Sequence, residues 1–156
     1  MVLFGGFKDG ARSNTLFKFS FKLNAWTAVQ AKGKRKPEPR AGHVSVIYKN
    51  HLAIFGGTNE KNQRQNDTWL FNFDYEEWTC LNENQSSPNL PLARSGASAV
   101  LYSDKFLILS GGIHLITKEL DDLWALNLET KTWTQLQEST PRQTPTFTSL
   151  SPTKLE

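Results

Sequence analysis

A glycine pair followed about twenty residues later by Trp-Thr occurs three times along this chain. Phe4-Gly5-Gly6 leads to Trp26-Thr27, Phe55-Gly56-Gly57 to Trp78-Thr79, and Ser110-Gly111-Gly112 to Trp133-Thr134. The three tryptophans of this set stand 52 and 55 residues apart. A period of about 50 residues is the length of one supersecondary unit, and a unit that small cannot bury its apolar face alone. The repetition therefore demands a stacked-repeat architecture before any single residue is considered.

Four segments recur within the period. The first opens at an arginine: Arg40-Ala41-Gly42-His43 runs into residues 44–48, and Arg94-Ser95-Gly96-Ala97 into residues 98–102. Its small apolar residues suit a strand crowded by neighbours. The second is a short apolar run, residues 52–55 or 106–109, ending near the glycines, and it reads as a buried strand. The third alternates. Phe17, Phe19 and Phe21 correspond to Trp69, Phe71 and Phe73 and to Trp124, Leu126 and Leu128, and large side chains at period two are the strand signature. Ile116, Leu120 and Leu123 have helical spacing, but only in the third copy, whereas the alternation is kept in all three. The fourth segment centres on Trp26, Trp78 or Trp133. The unit is thus a four-stranded antiparallel meander, and meanders stacked around an axis make a β-propeller. The large alternating residues and the tryptophans are expected to fill the space between blades.

A glycine pair, then Asn66-Asp67 or Asp121-Asp122, then Trp78 or Trp133, with Pro39-Arg40-Ala41-Gly42-His43 opening a unit, resembles the kelch repeat. The resemblance implies an all-β fold, a partial kelch β-propeller of about three four-stranded antiparallel blades over residues 1–137. The first blade, residues 1–30, is incomplete because the arginine strand is missing; the others cover 40–82 and 94–137. In unit length the chain is more similar to the kelch-domain-containing, host-cell-factor and Rab-effector groups than to the compact BTB-kelch adaptors. It departs from the pattern at Ser110, at Ala97 where His43 would recur, and at Asn14-Thr15. Kelch rings are often closed by a strand that the C-terminus lends to the first blade. Residues 141–147 are the segment available for that role, and Pro145 counts against them in a central strand. Closed propellers have about 4–8 blades. The chain is therefore expected to be a piece of a longer protein, a splice-like product, or one of two chains that together close a ring. Residues 138–156, rich in Ser, Thr and Pro, read as a disordered tail. Thr140-Pro141, Thr144-Pro145 and Ser151-Pro152 are candidate sites there for proline-directed phosphorylation.

The charge is uneven. Residues 1–50 carry ten Lys/Arg against two acids, and residues 51–156 carry eight against thirteen. Cys80 is the single cysteine, so no intrachain disulfide can form, which fits a reducing compartment. No apolar run approaches the roughly 20 residues that span a bilayer, and no signal peptide is evident. The expected location is cytoplasmic, with the nucleus also compatible.

In a four-strand meander the loops between the second and third strands lie at the same end as the links between blades. These are residues 7–13, 58–66 and 113–120, with 31–39 and 83–93 between blades, and long loops on a rigid scaffold are where binding usually resides. Kelch proteins are similar in generally binding partners through this face. The candidate partner-binding residues are Lys8, Arg12, Lys34, Arg35, Lys36, Lys61, Arg64 and His114. The cations suit an acidic peptide or patch on a protein. Nucleic acid is disfavoured because no aromatics interleave the basic stretch.

Catalytic candidates are thin. His43, His51 and His114 lack metal-ligand spacing, and no nucleophile motif frames the serines. Among kelch-like propellers the copper radical oxidases use a crosslinked Cys and Tyr near the axis, whereas Cys80 is expected on an outermost strand. No cofactor and no metal is expected. His43 reads as a structural residue and His51 as part of a turn. Asp67 and Asp122 are expected to cap loop N–H groups. Arg40 and Arg94 are expected to form structural ion pairs with partners left open. The expected function is a non-catalytic protein–protein interaction module, acting as a scaffold or in substrate recognition for a ubiquitin ligase. The alternative is an enzyme using the propeller mouth, an oxidase or lyase.

Overall fold

A computed structural model describes residues 1–82, 89–116 and 118–139. The proposed closing segment 141–147, the tail sites from Thr140 onward and most of the second inter-blade link lie outside the described residues. Among the described residues every regular element is a strand. The first repeat contributes β1 (Val2–Phe4), β2 (Phe7–Lys8), β3 (Ala11–Arg12), β4 (Leu16–Ser20) and β5 (Ala25–Val29). The second contributes β6 (Arg40–Ala41), β7 (Val44–Tyr48), β8 (His51–Phe55), β9 (Thr58–Asn59), β10 (Thr68–Asn72) and β11 (Glu77–Cys80). The third contributes β12 (Ser98–Tyr102), β13 (Phe106–Ser110), β14 (Ile113–Leu115), β15 (Lys118–Glu119), β16 (Leu123–Asn127) and β17 (Thr132–Gln137).

These strands form three antiparallel blades. Two are four-stranded meanders, β7-β8-β10-β11 and β12-β13-β16-β17, and the first is three-stranded, β1-β4-β5. The partial propeller is therefore present, and among the described residues the first blade lacks an inner strand. The arginine segment is not one continuous strand. Arg40–Ala41 pairs with Thr58–Asn59, and the chain then turns through Gly42, at φ +69°, before β7 begins. Lys118–Glu119 and Leu123–Asn127 are strands, so the spacing of Ile116, Leu120 and Leu123 does not mark a helix.

Blades meet through the faces that the repeat marks out. The Trp78 ring sits 4.9 Å from Phe4 of the preceding blade, and Trp133 sits 5.1 Å from Phe55 of its predecessor. The Trp133 indole N–H also donates to the Thr68 hydroxyl at 3.2 Å. Trp78 and Trp133 are 7% and 9% exposed, whereas Trp26 is 46% exposed. Trp26 thus does not fill a gap between blades: among the described residues no sheet stands opposite its face, which it shares with Phe17 and Phe19. Phe21 lies past the end of β4 and is exposed, so it does not belong to the strand face. The clean alternation also changes meaning in the second blade. Residues 68–71 are all buried, since this sheet is covered on both faces.

Candidate functional site

The first glycine of each pair shows how the loop end is assembled. A Cβ on Gly5 would stand 2.7 Å from the Arg40 carbonyl oxygen, and a Cβ on Gly56 would stand 2.7 Å from the Arg94 carbonyl oxygen. Both residues have φ near the left-handed region, +65° and +70°. Only glycine lets the second strand end this close to the arginine of the next blade. The second glycine completes the seam. Gly6 N–H donates to the Arg40 carbonyl at 2.9 Å, and Gly57 N–H to the Arg94 carbonyl at 2.8 Å. Arg40 N–H in turn donates to Ser13, and Arg94 N–H to Gln65, both at 3.0 Å. The first two loops between second and third strands are therefore hydrogen-bonded to the start of the following blade, while the third bonds to Ser95 at the start of its own.

The arginine side chains sit beneath this seam. Arg40 is 0% exposed and grips both carboxylate oxygens of Asp67, with the Nη2–Oδ2 arm at 2.8 Å. Asp67 also accepts the Trp69 indole N–H at 2.7 Å. Arg94, Asp122 and Trp124 repeat the arrangement at 2.7 and 2.8 Å. Each guanidinium also donates to a glycine carbonyl, Gly56 or Gly111. This corrects the expectation for the two aspartates. Their carboxylates bind guanidinium and indole donors rather than capping loop N–H groups, because a buried cation is the stronger claim on a buried anion. The sequence held a signal for the pairing: arginine and aspartate are both present in the second and third repeats. The first has Thr15 at the aspartate position and no arginine strand.

Above the seam stand three hairpins: β2/β3, the turn from Thr58 to Arg64, and β14/β15. Lys8 and Lys61 are exposed on the first two. Arg12 and Arg64 are half-buried at equivalent positions, each next to the residue that bonds back to a glycine carbonyl. Arg12 reaches across to the next hairpin, donating to Asn62 Oδ1 at 2.8 Å, with its guanidinium 5.1 Å from the Phe7 ring centre. The Nε atoms of both arginines are buried with no hydrogen-bond partner. His114 lies on β14 with Nδ1 2.6 Å from the Ala93 carbonyl oxygen. It ties the third hairpin to the link before the third blade.

Residues 34–36 are placed differently. Lys32 N–H donates to the Glu76 carbonyl at 2.7 Å, and Glu76 is in the turn at the opposite end of the blade. The link then climbs the second blade. Arg35 lies 5.9 Å from the Trp69 ring centre and, with Lys36, lines a cavity of about 230 Å³ beside Trp69 and Cys80. Lys34, Arg35 and Lys36 therefore flank a blade, while Lys8, Arg12, Lys61 and Arg64 belong to adjoining hairpins.

The histidines differ in role. His43 is packed edge-on against Phe4 at 5.4 Å, its Nδ1 buried without a partner. Burial and then the Arg40 charge push its pKa down to about 4, with a hydrogen bond to the Phe4 backbone opposing them. It is neutral near pH 7 and structural. His51 opens β8 rather than lying in the turn, and its Nε2 is 3.1 Å from Asn72 Nδ2. A cavity of about 410 Å³ lies near it between the second and third blades, bordered by Tyr48, Leu70, Tyr75, Leu128 and Glu129. Cys80 is on β11, the outermost strand of its blade. Among the described residues no group of three or more His, Cys, Asp or Glu is placed to hold a metal ion, and no helix is long and apolar enough to cross a membrane.

The KLHDC2/KLHL20/DRC7 Kelch-repeats domain model matches residues 1–151. An F-box/kelch-repeat protein of Arabidopsis thaliana is 32% identical over 137 residues, covering 82% of this chain and 28% of that protein. Kelch domain-containing protein 1 of Mus musculus is 31% identical over 125 residues, covering 80% and 30%. Leucine-zipper-like transcriptional regulator 1 of Homo sapiens is 30% identical over 123 residues, covering 79% and 14%. The chain spans less than a third of the length of these curated relatives.

Proposed function

This chain belongs to the kelch-repeat family, and on that premise we propose that it is a non-catalytic module that binds a protein partner through the hairpin end of its blades. The observation that carries this reading is the set of hairpins hydrogen-bonded at their bases, the first two to the following blade and the third to the start of its own. Loops on so stiff a mount lose little entropy on binding. Lys8, Arg12, Lys61 and Arg64 outnumber Asp9 and Glu60 on the first two hairpins, which favours an acidic peptide or patch. The aspartates hold buried arginines, and His43 is locked between blades.

The F-box relative supports an adaptor role in substrate recognition for a ubiquitin ligase, with scaffolding as the broader class. Action in the cytoplasm or nucleus is part of the same proposal. So is cover for the aromatic face of the first blade and the outer face of the third, by further blades or by a second copy.

The test is charge reversal on the two basic hairpins. Partners are captured with the wild type and with Lys8→Glu/Lys61→Glu, each crosslinked and identified at low and high salt. Loss of the same acidic partner in the variant and at high salt is expected. Capture unchanged by both would overturn the loop-face reading, and metal-dependent turnover of a small molecule would replace it with the enzymatic one.

A further inference from the structure

We propose that the hairpin end is bipartite. It takes a peptide whose carboxylates lie over the first two hairpins and whose aliphatic or aromatic side chain anchors on the third. This deepens the reading above and rests on it.

The three hairpins occupy one repeat position, yet their tips differ in chemistry. The first reads Phe7-Lys8-Asp9-Gly10-Ala11-Arg12, and the second carries Glu60, Lys61 and Asn62 at its tip. The third carries Leu115 and Ile116 there, after Ile113. Leu115 is 56% exposed and Ile116 91% exposed, with Ile113 and Leu92 also open to solvent. An aliphatic tip held in water, rimmed by polar groups, marks an interaction site.

A following blade does not account for this exposure. The tip of the second hairpin, Glu60, Lys61 and Asn62, is exposed with the third blade in place behind it. Lys8, Asp9 and Gly10 are likewise exposed with the second blade in place. A following blade touches the base of the hairpin before it, through Gly6–Arg40 and Gly57–Arg94, and leaves that hairpin's tip exposed; the contact onto a tip, Arg12 to Asn62, comes from the preceding hairpin. Leu115 and Ile116 stand at the corresponding tip, where a following blade would leave them open to a partner.

The third hairpin is also fixed. Ile113 and Ser95 exchange backbone hydrogen bonds at 2.9 and 3.1 Å, and His114 engages the Ala93 carbonyl. An apolar anchor site on a rigid mount costs little to order on binding. The charge next to it selects the partner. Four cations against two carboxylates on the first two hairpins favour acidic flanks. Lys118 and Glu119 balance one another on the third hairpin, so the apolar end of the peptide meets no strong field there.

Selection from a random-peptide display library tests this directly. The baits are the whole chain, Leu115→Ser/Ile116→Ser, and Arg12→Glu/Arg64→Glu, each checked by circular dichroism for an intact β spectrum. The wild type is expected to enrich peptides with two or more Asp/Glu beside a Leu, Ile, Phe or Trp. Leu115→Ser/Ile116→Ser should lose the apolar preference and bind selected peptides about tenfold more weakly, keeping the acidic one. Enrichment of acids without an apolar neighbour would overturn the bipartite proposal and leave the acidic-partner reading standing. Enrichment of neutral or basic peptides, or none at all, would overturn both. Should Arg12→Glu/Arg64→Glu fail to fold, Lys8→Glu/Lys61→Glu takes its place, because both lysines are exposed.

Discussion

At the scale of residues, the two buried Arg–Asp pairs decide most about the inner part of the second and third blades. Arg40 and Asp67 are both removed from water, so each is tolerable only because the other is there. Arg40→Ala is expected to destabilise the chain by about 3–5 kcal/mol, measured by urea denaturation, since it strands the Asp67 carboxylate. The double change Arg40→Met/Asp67→Leu should recover much of that loss. Recovery of none of it would show that the pair contributes more than mutual neutralisation. His43 adds a pH dependence. Its folded pKa, about 4, lies below the ordinary 6.5, so the unfolded chain takes up its proton first. Its contribution is complete above pH 6.5, falls as the pH drops, and is exhausted below about 4. The loss amounts to about 3 kcal/mol. Melting temperatures of wild type and His43→Asn should therefore converge as the pH falls from 7 to 4. A constant gap between them would contradict the assignment.

At the scale of elements, the same tryptophan does different work in different blades. Trp78 fills the seam between the first and second blades, beside Phe4 and Phe71. Trp78→Ala should cost about 3–5 kcal/mol. Trp26→Ala, at the equivalent position on an uncovered face, should cost less than half as much in the same denaturation experiment. Equal losses would mean that something covers the first blade. The glycines make a parallel contrast. Gly56→Ala drives a methyl into the Arg94 carbonyl, whereas Gly6→Ala meets nothing within 4 Å and carries only the strain of its backbone angle. Gly56→Ala should be the more damaging by at least about 1 kcal/mol. The strand pattern and its register across the repeats were legible because side-chain alternation is local. Exposure of Trp26 was not, since burial depends on which sheet stands opposite. The split of the arginine segment into β6 and β7 was hidden too, because Arg40–Ala41 pairs with a loop of its own blade rather than continuing the sheet.

At the scale of the whole molecule, the three stacked blades bury two seams and, among the described residues, leave two faces open. The aromatic face of Phe17, Phe19 and Trp26 and the outer face with Val100 and Tyr102 are the halves of the same kind of seam. Either further blades or another copy would cover them, and sedimentation of the chain over a range of concentrations should show association driven by these faces. Substituting Trp26 and Val100 by Glu should abolish it, and a strictly monomeric wild type would argue that the open faces are tolerated. The candidate partner residues were partly readable at this scale. Placing the loops at one end follows from meander connectivity, and Lys8, Arg12, Lys61 and Arg64 do stand on adjoining hairpins. Residues 34–36 could not be placed from the sequence. Their path depends on the Lys32–Glu76 contact at the far end of the blade, a meeting of residues 44 positions apart.

The amino-acid sequence alone determined the repeat, the strand order within it and the family, because these rest on spacing and alternation along the chain. Only the tertiary structure decided which carboxylate each buried arginine holds, which tryptophan stays in water and which loop tips stand free. Those outcomes are set by what lies across a seam, and no local pattern encodes the identity of a neighbour brought there by stacking.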